Sequence, residues 1–104
     1  VKTNLKKLAT DYADALTAAA KRTEGMPDEG TFNFDSTAIF GLRYTEKVAA
    51  ILGPAAHSST WYGKRVVMIS PERGSQNVRS SAAQEMTKLF RERGYDATTY
   101  FQMD

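Results

Sequence analysis

Residues Lys64 to Ser70, KRVVMIS, and Tyr95 to Met103, YDATTYFQM, flank a stretch in which Val78, Ala82, Met86, Leu89 and Phe90 recur at helical spacing. That order of periodicities constrains the fold more than anything else in the chain. The first run is almost continuously apolar and β-branched, as in a strand covered on both faces. The second alternates Tyr95, Ala97, Thr99, Phe101 and Met103 with more polar neighbours and is rich in Thr and aromatic residues. Ser70-Pro71 breaks the first run and Gly94 stops the helix. The C-terminal part is therefore read as a β-α-β unit over about 64–70, 75–93 and 95–103, with a parallel strand pair joined by a right-handed crossover.

Two parallel strands leave both edges open, so at least a third strand is required. The stretch TFNFDSTAIFGLRY is where it is sought. Phe32 and Phe34 alternate with polar residues, which predicts a short strand near 31–34. Phe40, Leu42 and Tyr44 alternate too, but a helix capped at Asp35 or Ser36 also fits, with Val48, Ile51 and Leu52 continuing its face. The helix is preferred, over about 38–52, ended by Gly53-Pro54. His57-Ser58-Ser59-Thr60 reads as a polar loop. At the N-terminus, Leu5, Leu8, Tyr12, Leu16 and Ala19 form one stripe of a helix over about 3–23, closed by Gly25. The expected fold is one small α+β or α/β domain spanning residues 1–104.

Hydrophobic content of 41% and charged content of 25% are ordinary for a globular chain. There is no cysteine, which removes disulfides, thiolate ligands and cysteine nucleophiles. Asp11 and Asp14 interrupt the N-terminal apolar residues, so no signal-peptide core is read there, and no run is long enough to span a bilayer. A cytoplasmic protein without membrane contact is expected.

The net charge is +2, but it is unevenly placed. From Lys64 to Gly94 seven cations face three anions, whereas from Gly25 to Gly63 two cations face four anions. The loop between the predicted strand and helix, SPERGSQNVRSS, lies where open α/β sheets bind ligands. Arg73 and Arg79 offer fork-shaped donors, Ser75, Gln76 and Asn77 neutral ones, and Gly74 backbone freedom beside unpaired helix N–H groups. No glycine fingerprint for a dinucleotide or a nucleoside triphosphate is present. Trp61, Tyr62, Lys64 and Arg65 interleave rings and cations at a strand start, with Tyr100 as a further ring, a composition suited to stacking on bases.

His57 is the single histidine, so no multi-histidine metal site exists, and no nucleophile motif accompanies it. Asp28, Glu29 and Asp35 read as an acidic loop. No catalytic residue, metal or cofactor is assigned, and the expectation leans away from an enzyme. The first reading is a small binding protein that contacts nucleic acid or another polyanion through Arg73, Ser75, Gln76, Asn77, Arg79, Lys64 and Arg65, with affinity falling steeply with salt. The second is a protein-interaction module, such as a small inhibitor or regulatory subunit, with homodimerisation through an open sheet edge as one form. The third is a small enzyme or sensor that takes a phosphorylated metabolite in the Ser70–Arg79 loop.

Overall fold

A computed structural model describes residues 3–27, 35–71 and 76–101. Among these residues three α-helices and four strands follow in the order α1 (Leu5–Thr23), β1 (Ser36–Phe40), α2 (Glu46–Leu52), β2 (Ala56–Trp61), β3 (Lys64–Ile69), α3 (Gln76–Glu92) and β4 (Asp96–Tyr100). A single 3₁₀ turn at Gly53–Ala55 links α2 to β2.

The four strands form one sheet in the order β2-β3-β1-β4, and every neighbouring pair is antiparallel. This corrects the expected parallel pair. β3 and β4 do run in the same direction, because each is antiparallel to β1, but β1 lies between them. The β-α-β unit is thus split by an inserted strand. The physical reason lies in β1: Thr37 and Ile39 are buried on one side of the sheet and Ser36 and Ala38 on the other, so this segment needs a neighbour on each edge and cover on each face.

The same burial explains why 38–52 is not one helix. Gly41 sits at φ +78°, a left-handed conformation that ends the strand, and Thr45 caps a new helix by accepting from Val48 N at 3.2 Å. Only Glu46–Leu52 becomes helical. The expected strand near 31–34 lies outside the described residues. His57–Thr60 is not a loop but part of β2, an edge strand whose Ser and Thr residues suit a half-exposed position.

All three helices cover one face of the sheet. Leu8, Tyr12, Ala15 and Ala19 of α1, Val48 and Leu52 of α2, and Ala82, Met86 and Phe90 of α3 meet Ile39, Ala56, Val67, Ile69 and Ala97 in the main core. The α1 stripe is rotated from the expected one: Ala15 is buried and Leu16 is 43% exposed. A chain of hydroxyls ties α3 to the sheet inside this core. Thr99 donates to Thr87 at 2.9 Å, Thr87 donates to Ala83 O at 2.8 Å, and Thr37 reaches both Ala83 O and Thr87 at 3.0 Å.

The helix-free face of the sheet

Among the described residues every helix lies on one side, and the other face of the sheet carries the sheet's own side chains. Strand alternation and register place Ser36, Ala38 and Phe40 of β1, His57, Ser59 and Trp61 of β2, Lys64, Val66 and Met68 of β3, and Asp96, Thr98 and Tyr100 of β4 on that face. Ala38, Val66 and Met68 form a small apolar floor against which Phe40, Trp61 and Tyr100 pack.

Trp61 is the hub. Its ring lies 5.8 Å from Phe40 at 23° and 5.4 Å from Tyr62 at 26°, both stacked, and meets Tyr100 edge-on at 5.0 Å. Trp61 belongs to edge strand β2 and Tyr100 to the opposite edge strand β4, so the two rings meet above the two central strands. Beside this arch is a concavity of about 440 Å³ lined by Trp61, Tyr100, Met68, His57, Ser36, Ser59 and Thr60. Its walls are aromatic, its floor holds a thioether, and its rim carries one imidazole and the hydroxyls of Ser36 and Ser59. Ser36 Oγ and Ser70 Oγ are 2.9 Å apart at one end. Such a lining suits a planar ligand with polar edges.

The structure brings together the three residues singled out for stacking, Trp61, Tyr62 and Tyr100. Phe40 completes the group and was missed, because in the sequence it sits in a segment read as helix. His57 was missed as a lining residue for a similar reason: read as a loop residue, it had no face.

The basic residues are not gathered in the same way. Lys64 and Arg65 begin β3, whereas Arg79 is in the first turn of α3, beyond that strand's other end. A six-residue strand at about 3.3 Å per residue separates these ends by about 17 Å. Register also divides the first two, with Lys64 opposite Trp61 on the helix-free face and Arg65 opposite Thr60 on the other. Asn77 is occupied by a bond from Nδ2 to Pro27 O at 2.8 Å. Arg73 and Ser75, and the side chain of Gln76, lie outside the described residues, so the proposed anion loop has no described geometry. Among the described strand residues of the helix-free face, Lys64 and Asp96 are the two formal charges, and the face is close to neutral.

A second concavity, of about 430 Å³, opens near the start of α1 and is lined in part by Lys7, Ile39, Leu42, Arg93, Tyr95 and Asp96. Its charges are already engaged with one another. Asp11, buried on α1, accepts from Lys7 Nζ at 2.7 Å, Arg93 Nη1 at 2.6 Å and Tyr95 Oη at 2.9 Å. Arg93 also reaches Asp14 at 2.9 Å, and Lys7 donates to Arg93 O at 2.8 Å. Burial pushes the Asp11 carboxyl up, but the bonds from Lys7, Arg93 and Tyr95 outweigh it and leave the group below its ordinary value. The Tyr95 hydroxyl is raised above its ordinary value by burial and by its bond to Asp11. The geometry is that of a closed structural network linking α1 to the turn between α3 and β4.

Among the described residues no three His, Cys, Asp or Glu side chains gather as a metal site, and no helix is long and apolar enough to cross a membrane. Comparison with protein-family models, with curated proteins and with solved structures finds no match.

Proposed function

We propose that this protein is a small binding domain that takes unpaired bases of a single-stranded nucleic acid on the helix-free face of its sheet. The observation that supports this reading is the meeting of Phe40 and Tyr100 with Trp61 on one face, with Tyr62 stacked on Trp61 at the hairpin tip, beside a concavity rimmed by His57, Ser36 and Ser59. Stacking on such rings is worth about 1–3 kcal/mol per base, and it tolerates any base because every base has a π-face. The imidazole and hydroxyls add hydrogen-bonding capacity for base edges.

The charge distribution alters the expected energetics. A polyanion coat would need several convergent cations, and Lys64 is the one basic strand residue placed on this face among those described. Affinity is therefore carried by stacking, with phosphate neutralisation a minor part. One to two phosphate contacts correspond to a log–log salt slope of about −0.7 to −1.4, or a loss of about 3- to 7-fold between about 50 mM and about 200 mM salt.

Trp61 is the single tryptophan, so its fluorescence reports directly on this face. Titration with a labelled single-stranded oligonucleotide, read by Trp61 quenching and by anisotropy of the label, is expected to give coincident saturable curves with that shallow salt slope. Absence of quenching and of anisotropy change at the lower salt defeats the reading. The near-neutral, partly apolar face favours a protein partner as the second reading. Capture of a partner that survives nuclease and high salt, and that is lost on substituting Trp61, supports it.

A further inference from the structure

The tip of the β2–β3 hairpin is built at a cost. Trp61 pairs with Lys64, which leaves Tyr62 and Gly63 as a two-residue turn, and both have positive φ, at +53° and +74°. This is the sign pattern of a type I′ turn, in which Asn, Asp or Gly is favoured at the first position. A bulky side chain in the left-handed region is strained, and strain of this kind concentrates where a residue is kept for what it does. The fold gains little in exchange, because Tyr62 is 85% exposed and its ring touches only that of Trp61 among the described aromatic contacts. Tyr62 also stands outside the lining of the concavity, which Trp61 borders. Lys64, directly across the strand pair from Trp61, lies on the same face as that ring.

Resting on the base-binding reading above, we infer that Tyr62 is a second stacking station, so that the ligand is a chain of at least two consecutive unpaired bases rather than a mononucleotide. One base occupies the concavity bordered by Trp61 and Tyr100. The next stacks on the face of the Tyr62 ring turned away from Trp61, and Lys64, across the strand pair from Trp61, meets the phosphate that joins them. A paired duplex is rejected, because its bases are already stacked on both sides and their polar edges are taken.

The test uses the full chain, Trp61 fluorescence, and four probes: thymidine monophosphate, a thymidine dinucleotide, a short single-stranded oligothymidine, and a fully paired duplex. The dinucleotide and the oligothymidine are expected to bind at least tenfold more tightly than the monophosphate, and the duplex more weakly than the oligothymidine. Tyr62→Asn installs a residue the turn favours, so its Tm should equal or exceed the wild-type value. Its affinity for the oligothymidine should nevertheless fall by about 5- to 160-fold, the loss of one stacked base, and its affinity for the monophosphate by much less. Equal affinity for monophosphate and oligothymidine overturns the inference but leaves the base-binding reading standing. So does unchanged oligothymidine binding by Tyr62→Asn. If none of the four probes perturbs Trp61, the base-binding reading falls and the inference with it.

Discussion

Arg93, one residue beyond the end of α3, donates from Nη1 to Asp11 Oδ1 at 2.6 Å and so fastens the far end of α3 to the middle of α1. The partners are unequal. Asp11 is only 3% exposed, whereas Arg93 and Lys7 keep much of their side chains in water. The carboxylate has given up its hydration and depends on three donors; the cations depend on it far less.

Replacing Asp11 with Ala should therefore cost about 2 kcal/mol, the range of hydrogen bonds to a charged group, rather than the larger penalty of stranding buried charges. Arg93→Ala should cost less, because Lys7 and Tyr95 still satisfy Asp11. Urea denaturation of the two variants checks the order, and a larger loss for Arg93→Ala contradicts it.

The pH dependence of this network has a defined sign on each side. Asp11 is held below its ordinary value in the folded state, so its stabilisation is complete above the unfolded value of about 3.9 and is lost as pH falls through the folded one. The stability gap between wild type and Asp11→Asn should be constant near neutrality and close below about pH 4. Tyr95 is shifted the other way, and its contribution is full below the unfolded value of about 10 and declines as pH rises toward the folded one. Tyr95→Phe should remove that share of the alkaline loss. Denaturant midpoints across the two pH ranges measure both.

Much of this architecture is legible in one-dimensional pattern, and the failures have physical causes. α1, β3, α3 and β4 each carry a clean period, and each lies close to where that period puts it. β1 was hidden because a central strand buries both sides, leaving in Ser36–Phe40 no alternation to distinguish it from a helix beginning at the same caps. β2 was hidden because its exposed Ser and Thr residues imitate a loop. Once those two strands are missed, a parallel pair is the natural conclusion from β3, α3 and β4. Asp11 was passed over because a charge on a helix defaults to solvent, and two of its three partners, Arg93 and Tyr95, lie more than eighty residues away in sequence. The aromatic face was half legible: Trp61, Tyr62 and Tyr100 stand out by type, while Phe40 and His57 join them only through register.

The hydroxyl chain gives an asymmetric prediction. Thr87 accepts from Thr99 and caps Ala83 O, so Thr87→Val removes the acceptor on which a partly buried hydroxyl depends and should cost about 1 kcal/mol. Thr37→Val leaves Ala83 O still satisfied by Thr87 and puts an equally β-branched residue in a buried strand, so it should be nearly neutral. Thermal denaturation of both variants is the measurement, and equal losses contradict the assignment of Thr87 as the junction.

Gly63 tests the turn itself. An added Cβ there meets nothing within 4 Å, so any penalty for Gly63→Ala is backbone conformation alone. At φ +74° that should be about 1–2 kcal/mol. Chemical denaturation that shows no loss indicates that the hairpin closes by a different turn.

Trp61 has a structural role and a proposed binding role that substitutions can separate. It packs on Ala38, Val66 and Met68 on the face away from the described helices, and in the proposed reading it offers a ring to a base. Trp61→Ala removes both and should cost about 2–3 kcal/mol, toward the lower end for a large aromatic because the indole is only partly buried. Trp61→Phe keeps the floor covered and retains an aromatic face, so it should lose about 1 kcal/mol or less in stability. If the face binds bases by stacking, Trp61→Phe should also keep oligonucleotide affinity within about tenfold of wild type, whereas Trp61→Leu, which covers the floor without a π-system, should lose more. Anisotropy titrations with a labelled oligonucleotide, run beside thermal denaturation of each variant, distinguish the roles: equal binding losses for Phe and Leu at matched stability would mean that Trp61 serves the floor alone.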